Sequence, residues 1–165
     1  MRNKSVTVGL LQQSRNKSLE QNLEATIHEI KESAKKGAQI ICLQELFRSR
    51  YFCQSENSNE FKLSETIPGP TTNVLSNLAK ELKVVIISPL FEKRTEGIYH
   101  NSAVVIDADG SIVGSYRKMH IPDDPYFYEK FYFTPGDKAS RVFLLATDVW
   151  EFSFAGTNGF QRQRA

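Results

Sequence analysis

Two apolar runs separated by one amphipathic helical segment constrain this chain more than any other feature. Val6 to Leu11 is apolar enough for a buried strand, and so is Ala38 to Leu43. Between them Leu19, Leu23, Ile27, Ile30 and Ala34 recur at spacings of four, four, three and four, one face of a helix. Ser18, with Gln21 three residues on, reads as a capping box at the start of that helix. Gly37 supplies the left-handed residue that ends it. Strand, crossover helix and strand make a parallel pair with a right-handed connection. The pattern then repeats: Thr71 or Thr72 caps a second helix with Val74, Leu75, Leu78 and Leu82 facing inward. Val84 to Ile87 follows as a β-branched strand of the fully buried kind. Ser102 to Ile106 and Ile112 to Tyr116 flank Asp107-Ala108-Asp109-Gly110, a turn that predicts an antiparallel hairpin. The result is an α/β domain with a mixed sheet and helices over at least one face.

At 165 residues the chain is long enough for a single core. A net charge of +2, with no basic run longer than a pair, argues against nucleic acid and against an anionic membrane surface. No apolar run approaches the roughly 18 residues a membrane span needs. Met1 to Ser5 leads directly into a strand without the apolar core of a signal peptide, so the expected setting is cytoplasmic. Cys42 lies inside a buried strand, so it and Cys53 are expected as free thiols in a reducing compartment. His28, His100 and His120 show no ligand spacing, and no glycine-rich phosphate loop follows a strand, so neither metal nor cofactor is expected. His28 reads as a boundary residue beside the helical stripe.

Glu45 closes the run Ile40 to Gln44, and Lys118 follows the run Ile112 to Arg117. Each sits where a strand gives way to a loop, the place where open α/β sheets collect reactive groups. Position alone leaves Glu45 as either a solvated carboxylate or a general base, and Lys118 as either a surface lysine or a stabiliser of a developing oxyanion. Residues 46–69 form a long polar connection, and loops of that length are functional or mobile. Residues 116–137 interleave charges, prolines and aromatics with no helical or strand period, a mixture suited to the wall of a substrate pocket. There His120 is a candidate pocket residue. Asp123 and Asp124 either receive a cationic end of a substrate or cap the loop, with Tyr126 beside them.

Five segments carry a resemblance: Gln44-Glu45-Leu46-Phe47, Tyr51-Phe52-Cys53-Gln54, Ile67-Pro68-Gly69-Pro70, Tyr99-His100-Asn101-Ser102 and the whole of 116–137. Over about Val6 to Asp137 the chain resembles the N-terminal half of the nitrilase (carbon–nitrogen hydrolase) superfamily, most closely its N-carbamoylputrescine amidase branch. The resemblance implies a nitrilase-like α-β-β-α sandwich, incomplete here, built from this N-terminal half. It implies a Cys-Glu-Lys triad that hydrolyses N-carbamoylputrescine or a similar ureido or amide substrate to amine, CO2 and ammonia, in polyamine biosynthesis. Glu45 would be the general base and Lys118 the oxyanion stabiliser. Glu129 would be a second glutamate that orients the lysine or assists proton transfer. The partner implied is a small molecule, with homo-oligomers common in the family. Cys53 matches a loop cysteine that is not the family's nucleophile. Lys83 stands where relatives often have the glycine ending a helix, at a cost on the order of 1 kcal/mol.

After Asp137 the resemblance stops, before the nucleophile motif Cys-Trp-Asp-Gln-Trp, so residues 1–137 read as a partial hydrolase domain and 138–165 as a non-family tail. Codons built from the third base of each residue and the first two of the next permit a different string from Phe154 onward. It reads Cys-Trp-Asp-Gln-Trp-Phe-Pro-Glu-Ala-Ala-Arg, and the pairs from Lys138 on permit Gly-Phe-Lys. The tail therefore reads as a frameshifted translation. The chain as written is expected to be truncated and inactive. Its half-sandwich should expose an apolar sheet face and a free edge that favour aggregation or self-association. Val142 to Leu145 would improvise an edge strand, with Thr157 to Gly159 and the basic end disordered. The alternative is a non-catalytic product that binds ligand or an intact homologue. A nucleotide-binding domain is disfavoured by the missing phosphate loop.

Overall fold

In the first helix local chemistry and burial agree. The structure, a computed structural model, describes residues 5–15, 17–137, 141–145, 148–154 and 160–163. Strands β1 (Val8–Leu10) and β2 (Ile40–Cys42) pair in parallel, joined by helix α1 (Leu19–Lys35). The Ser18 hydroxyl accepts the Gln21 N–H and the Gln21 side chain accepts the Ser18 N–H, which completes the capping box. Gly37, at φ +91°, turns the chain out of the helix. Ile30 is fully buried, and Leu23, Ile27 and Ala34 pack around the same cluster. The buried side of α1 also holds two polar residues that the apolar stripe does not show. Asn22 donates to the carbonyls of Lys17 and Arg48, and Thr26 donates to the carbonyl of Asn22. Satisfied in this way, both tolerate burial.

Helix α2 (Pro70–Leu82) starts earlier than expected. Pro70 occupies the first turn, where its missing N–H costs nothing. The Thr72 hydroxyl accepts the Gly69 N–H, and the Glu65 carboxylate, rather than a threonine, accepts the Thr71 N–H. Leu75, Leu78 and Ala79 are buried, but Val74 is 38% exposed: one residue along a helix rotates it off the inner face. Lys83 adopts the left-handed conformation (φ 54°, ψ 45°).

Strand β3 (Val85–Thr95) runs well past the apolar stretch that announces it and turns into β4 (Ile98–Ile106), which pairs with β5 (Ile112–Arg117). Pro89 and the charges Glu92, Lys93 and Arg94 hide its second half. Pro89 is tolerated because β2 pairs with β3 only as far as Ile87, which leaves that edge open. The expected β4–β5 hairpin forms, with Gly110 at φ +88° in its turn. The sheet order is β1-β2-β3-β4-β5, parallel through β3 and antiparallel after it.

Ile41, Ile86, Val104 and Ile106 face the helices and share one cluster with Ile30 of α1 and Leu75 and Leu78 of α2. The alternate residues Ile40, Cys42, Val85, Ile87 and Val105 form a cluster on the opposite face. Contrary to the expected open apolar face, all five are at most 8% exposed; the exposed apolar side chains of the described sheet lie elsewhere, at Leu10 (71%) and Val8 (39%) on edge strand β1, Ile98 (38%) at the start of β4 and Val113 (37%) on β5. In the tail, β6 (Arg141–Leu145), β7 (Asp148–Phe154) and β8 (Phe160–Gln163) form a second, antiparallel sheet. The expected edge strand is thus part of a three-stranded sheet, and Phe160–Gln163 is strand rather than disordered; residues 157–159 lie outside the described ones.

A third cluster lies between the two long loops. Leu46, Phe52, Cys53, Phe91, Ile121, Tyr132 and Phe133 are buried together, with Tyr51, Phe61 and Tyr99 against them. Of the aromatics expected to wall a pocket, Tyr132 and Phe133 instead join this loop core, because two long connections bury each other; Tyr116 is buried on β5 and Phe131 is 39% exposed. Tyr126 (69%) and Phe127 (52%) remain open to solvent.

Replacing Lys83 by glycine removes the Cβ penalty at a left-handed site. The unfolding free energy is expected to rise by about 0.5–1 kcal/mol, read from urea denaturation midpoints.

Candidate active site

Three charged side chains from three separate segments meet beyond the ends of β2 and β5. Glu45 follows β2, just before Leu46, which turns the chain in the left-handed region at φ 50°. Lys118 follows β5, its backbone N–H donating to the carbonyl of Asn101 on β4 (2.8 Å). Glu129 opens the short helix α3 (Glu129–Tyr132) inside the 118–137 loop. The Lys118 ammonium donates to Glu129 Oε2 at 2.8 Å and to Glu45 Oε1 at 3.2 Å. The glutamates differ in setting: the Glu129 side chain is 4% exposed, that of Glu45 49%, and that of Lys118 12%.

Each carboxylate has a further donor. The Tyr51 hydroxyl donates to Glu129 Oε1 (2.9 Å), and the Asn101 side-chain amide donates to Glu45 Oε1 (2.5 Å). Burial works against the Lys118 charge, but the hydrogen bond to Glu129 and the fields of both glutamates outweigh it, so the ammonium is held above the usual lysine range. Burial, then the Glu129 charge, also pushes the Tyr51 phenol up and keeps it a donor. An ammonium held charged next to a half-exposed carboxylate can stabilise a developing oxyanion while the carboxylate takes a proton.

Behind Lys118 a second ionic cluster closes the neck of the loop. Arg117 donates twice to Glu92 (2.8 and 2.6 Å) and once to Asp137 (2.8 Å), and Ser102 donates to Glu92. The Gly136 N–H donates to the carbonyl of Lys118 (2.8 Å), so both ends of the loop are fastened at one place. With its neck pinned there and its aromatic residues packed against the 46–69 connection, the loop carries Glu129 to Lys118.

Cys53 lies close enough to this site for its charges to act on it. Burial, then the Glu129 and Glu45 charges, pushes its thiol up, and it has no solvent exposure. Burial likewise pushes the Cys42 thiol up to about 12. Both cysteines are free.

The other candidates are less uniform. His120, Asp123, Asp124 and Tyr126 are exposed along the loop. Asp123 is 3.9 Å from Lys130, the Phe127 N–H donates to the Asp124 carbonyl, and Tyr126 has a left-handed φ of 68°. His100 is buried, with Nδ1 2.8 Å from the carbonyl of Thr134, and His28 is exposed. Among the described residues no group of three or more His, Cys, Asp or Glu is arranged to hold a metal, and no helix is long and apolar enough to cross a membrane. Sequence reasoning gave no individual role to Asn101, Tyr51 or Glu92. No local signal marked either strand residue, since Glu92 stands between Phe91 and Lys93 and Asn101 between His100 and Ser102; their buried partners come from other segments.

Comparison with known proteins supplies the lineage. A model of the carbon-nitrogen hydrolase family matches residues 7–157. N-carbamoylputrescine amidase from Solanum lycopersicum is 43% identical over 143 residues, 86% of this chain and 47% of that protein. A citrullinase from Francisella tularensis is 40% identical, over 84% of this chain and 48% of that protein. A carbon-nitrogen hydrolase of known structure from Helicobacter pylori superposes with a TM-score of 0.81 at 47% identity, covering 86% of this chain and 48% of that one. The chain thus spans about half the length of the relatives it matches.

The ionic clasp predicts acid sensitivity. Hydrogen bonds from Arg117, then its charge and Arg94, hold Asp137 down to about 2. Burial opposes ionisation of Glu92, but Arg117 and Ser102 outweigh it and its carboxyl also lies below the usual range. Depressed carboxylates stabilise the fold above their unfolded values of about 4, and that contribution disappears as pH falls through the folded values. Urea midpoints should therefore drop steadily below pH 4, and Asp137→Asn should make the decline shallower.

Proposed function

The chain belongs to the carbon–nitrogen hydrolase family, and from that membership we propose that it carries the acid–base half of a site for ureido compounds such as N-carbamoylputrescine. The observation that carries this reading is the Lys118 ammonium seated between Glu45 and Glu129. In the full reaction a thiolate attacks the carbamoyl carbon and ammonia leaves. Water then attacks the resulting thioester, and the carbamate released decomposes to amine and CO2. Glu45 is the general base, Lys118 faces the oxyanion, and Glu129 keeps the lysine oriented and charged. Asp123 and Asp124, exposed on the loop with His120 and Tyr126, suit a cationic amine end. The same reading extends to polyamine biosynthesis, a cytoplasmic setting and family-type self-association.

The thiolate is the part we do not find within these 165 residues. Cys42 and Cys53 are the two cysteines of the sequence, and both are buried with thiols that resist ionisation. We therefore propose that the polypeptide as written does not turn over, and that residues 138–165 are read one base out of frame from the motif holding the nucleophile. Ammonia release from N-carbamoylputrescine by this chain should stay at background, and the coding DNA across Asp137 to Ala165 should spell Cys-Trp-Asp-Gln-Trp in the neighbouring frame. With that frame restored, Glu45→Gln should cost about 10²–10⁴ in kcat. Turnover coupled to labelling of Cys53 would overturn the first claim, and codons unable to encode the motif the second.

The exposed Leu10 and Val8 on edge strand β1 favour a second reading, in which the chain pairs with an intact homologue along that edge. Mixing the two and measuring mass by light scattering distinguishes it: unchanged masses count against association.

A further inference from the structure

Glu45 leaves the sheet just after β2 and its side chain is 49% exposed, yet a general base must present one oxygen in a fixed direction. A lysine alone does not provide that, because its long side chain follows the carboxylate as it moves. The rigid contact comes from β4. Asn101 is 5% exposed and lies in the register between β3 and β5, opposite Phe91. Its backbone carbonyl accepts the Lys118 N–H and its side-chain amide donates to Glu45 Oε1. One strand residue therefore sets the starting point of the lysine and grips the carboxylate the lysine faces.

Both donors aimed at Glu45, the Asn101 amide and the Lys118 ammonium, converge on Oε1. A carboxylate held by one oxygen no longer has equivalent oxygens. We propose that Asn101 is a positioning residue whose amide, with Lys118, occupies Oε1 of Glu45 and leaves Oε2 as the atom that takes the proton. The assignment rests on the reading of Glu45 as a general base. Its tests need no turnover, so a failed activity assay and a failed positioning test remain distinguishable.

Two measurements on the chain as it stands decide the matter. In a ¹⁵N-correlated spectrum one Asn101 side-chain amide proton should lie downfield of the other and lose that displacement in Glu45→Ala, which removes a half-exposed side chain. Competitive acetylation, read by peptide mass spectrometry across pH, should then report on Lys118. In Asn101→Ala the released Glu45 swings into solvent and Lys118 loses part of the field that keeps it protonated. Its acetylation well below the midpoint should rise about threefold. In the Glu45→Ala background the same substitution should change nothing. Identical Asn101 shifts with and without Glu45, an unchanged Lys118 profile in Asn101→Ala, or an equal rise in both backgrounds would each overturn the proposal. If Asn101→Ala does not fold, the amide spectrum of the parent and of Glu45→Ala still decides.

Discussion

One ammonium reconciles two carboxylates. Glu45 and Glu129 arrive from segments more than eighty positions apart in sequence, and without a cation between them their charges would drive them apart. Lys118 bridges them because β5 ends beside the middle of β4, where its backbone is hydrogen-bonded to Asn101. The interaction is costly in isolation, since ionised groups lose solvation on burial. It is sustained by further donors, Tyr51 on one carboxylate and Asn101 on the other. Remove the bridge and two carboxylates share a partly desolvated cleft with only these neutral donors to compensate them.

The bridge depends in turn on loop closure. A connection as long as 118–137 is entropically expensive to hold in one shape. Two separate devices hold it. At the neck, Arg117 is shared between Glu92 and Asp137 and the Gly136 N–H is tied to the Lys118 carbonyl. Farther out, Tyr132 and Phe133 pack with Phe52 and Phe91, where ring centroids lie 4.9–6.4 Å apart in the pairs they form with one another. Electrostatics fixes where the loop begins and ends, and apolar packing fixes where its middle lies. Cys53 belongs to that packing, which explains why a cysteine near the site is chemically muted.

Legibility followed the range of the interactions. The capping box of α1, the Gly37 exit and the β4–β5 hairpin depend on residues within a few positions of one another, and each was readable; the left-handed Lys83 was indicated by the family resemblance. The second half of β3 was not, because Pro89 and a run of charges look unlike a strand until the neighbouring strands show which edge is free. The inward helix face was misjudged by a single residue at Val74. The aromatics of the 116–137 segment looked alike in sequence, yet Tyr132 and Phe133 are loop core while Tyr126 and Phe127 stay exposed, since two connections can bury each other and no local pattern records that.

By itself the sequence determined the element order from β1 to β5 and the mixed α/β class, because periodicity, caps and turn residues act over short distances, while its motif segments carried the family resemblance. It also placed Glu45 and Lys118 at strand ends. The family resemblance also pointed to Glu129, but only the tertiary structure decided that Asn101 and Tyr51 supply the remaining donors and that Cys53 is withdrawn from solvent. Those outcomes depend on how sheet register and loop packing fold distant segments together, and the distances between side chains in space are written nowhere in the spacing of residues along a chain.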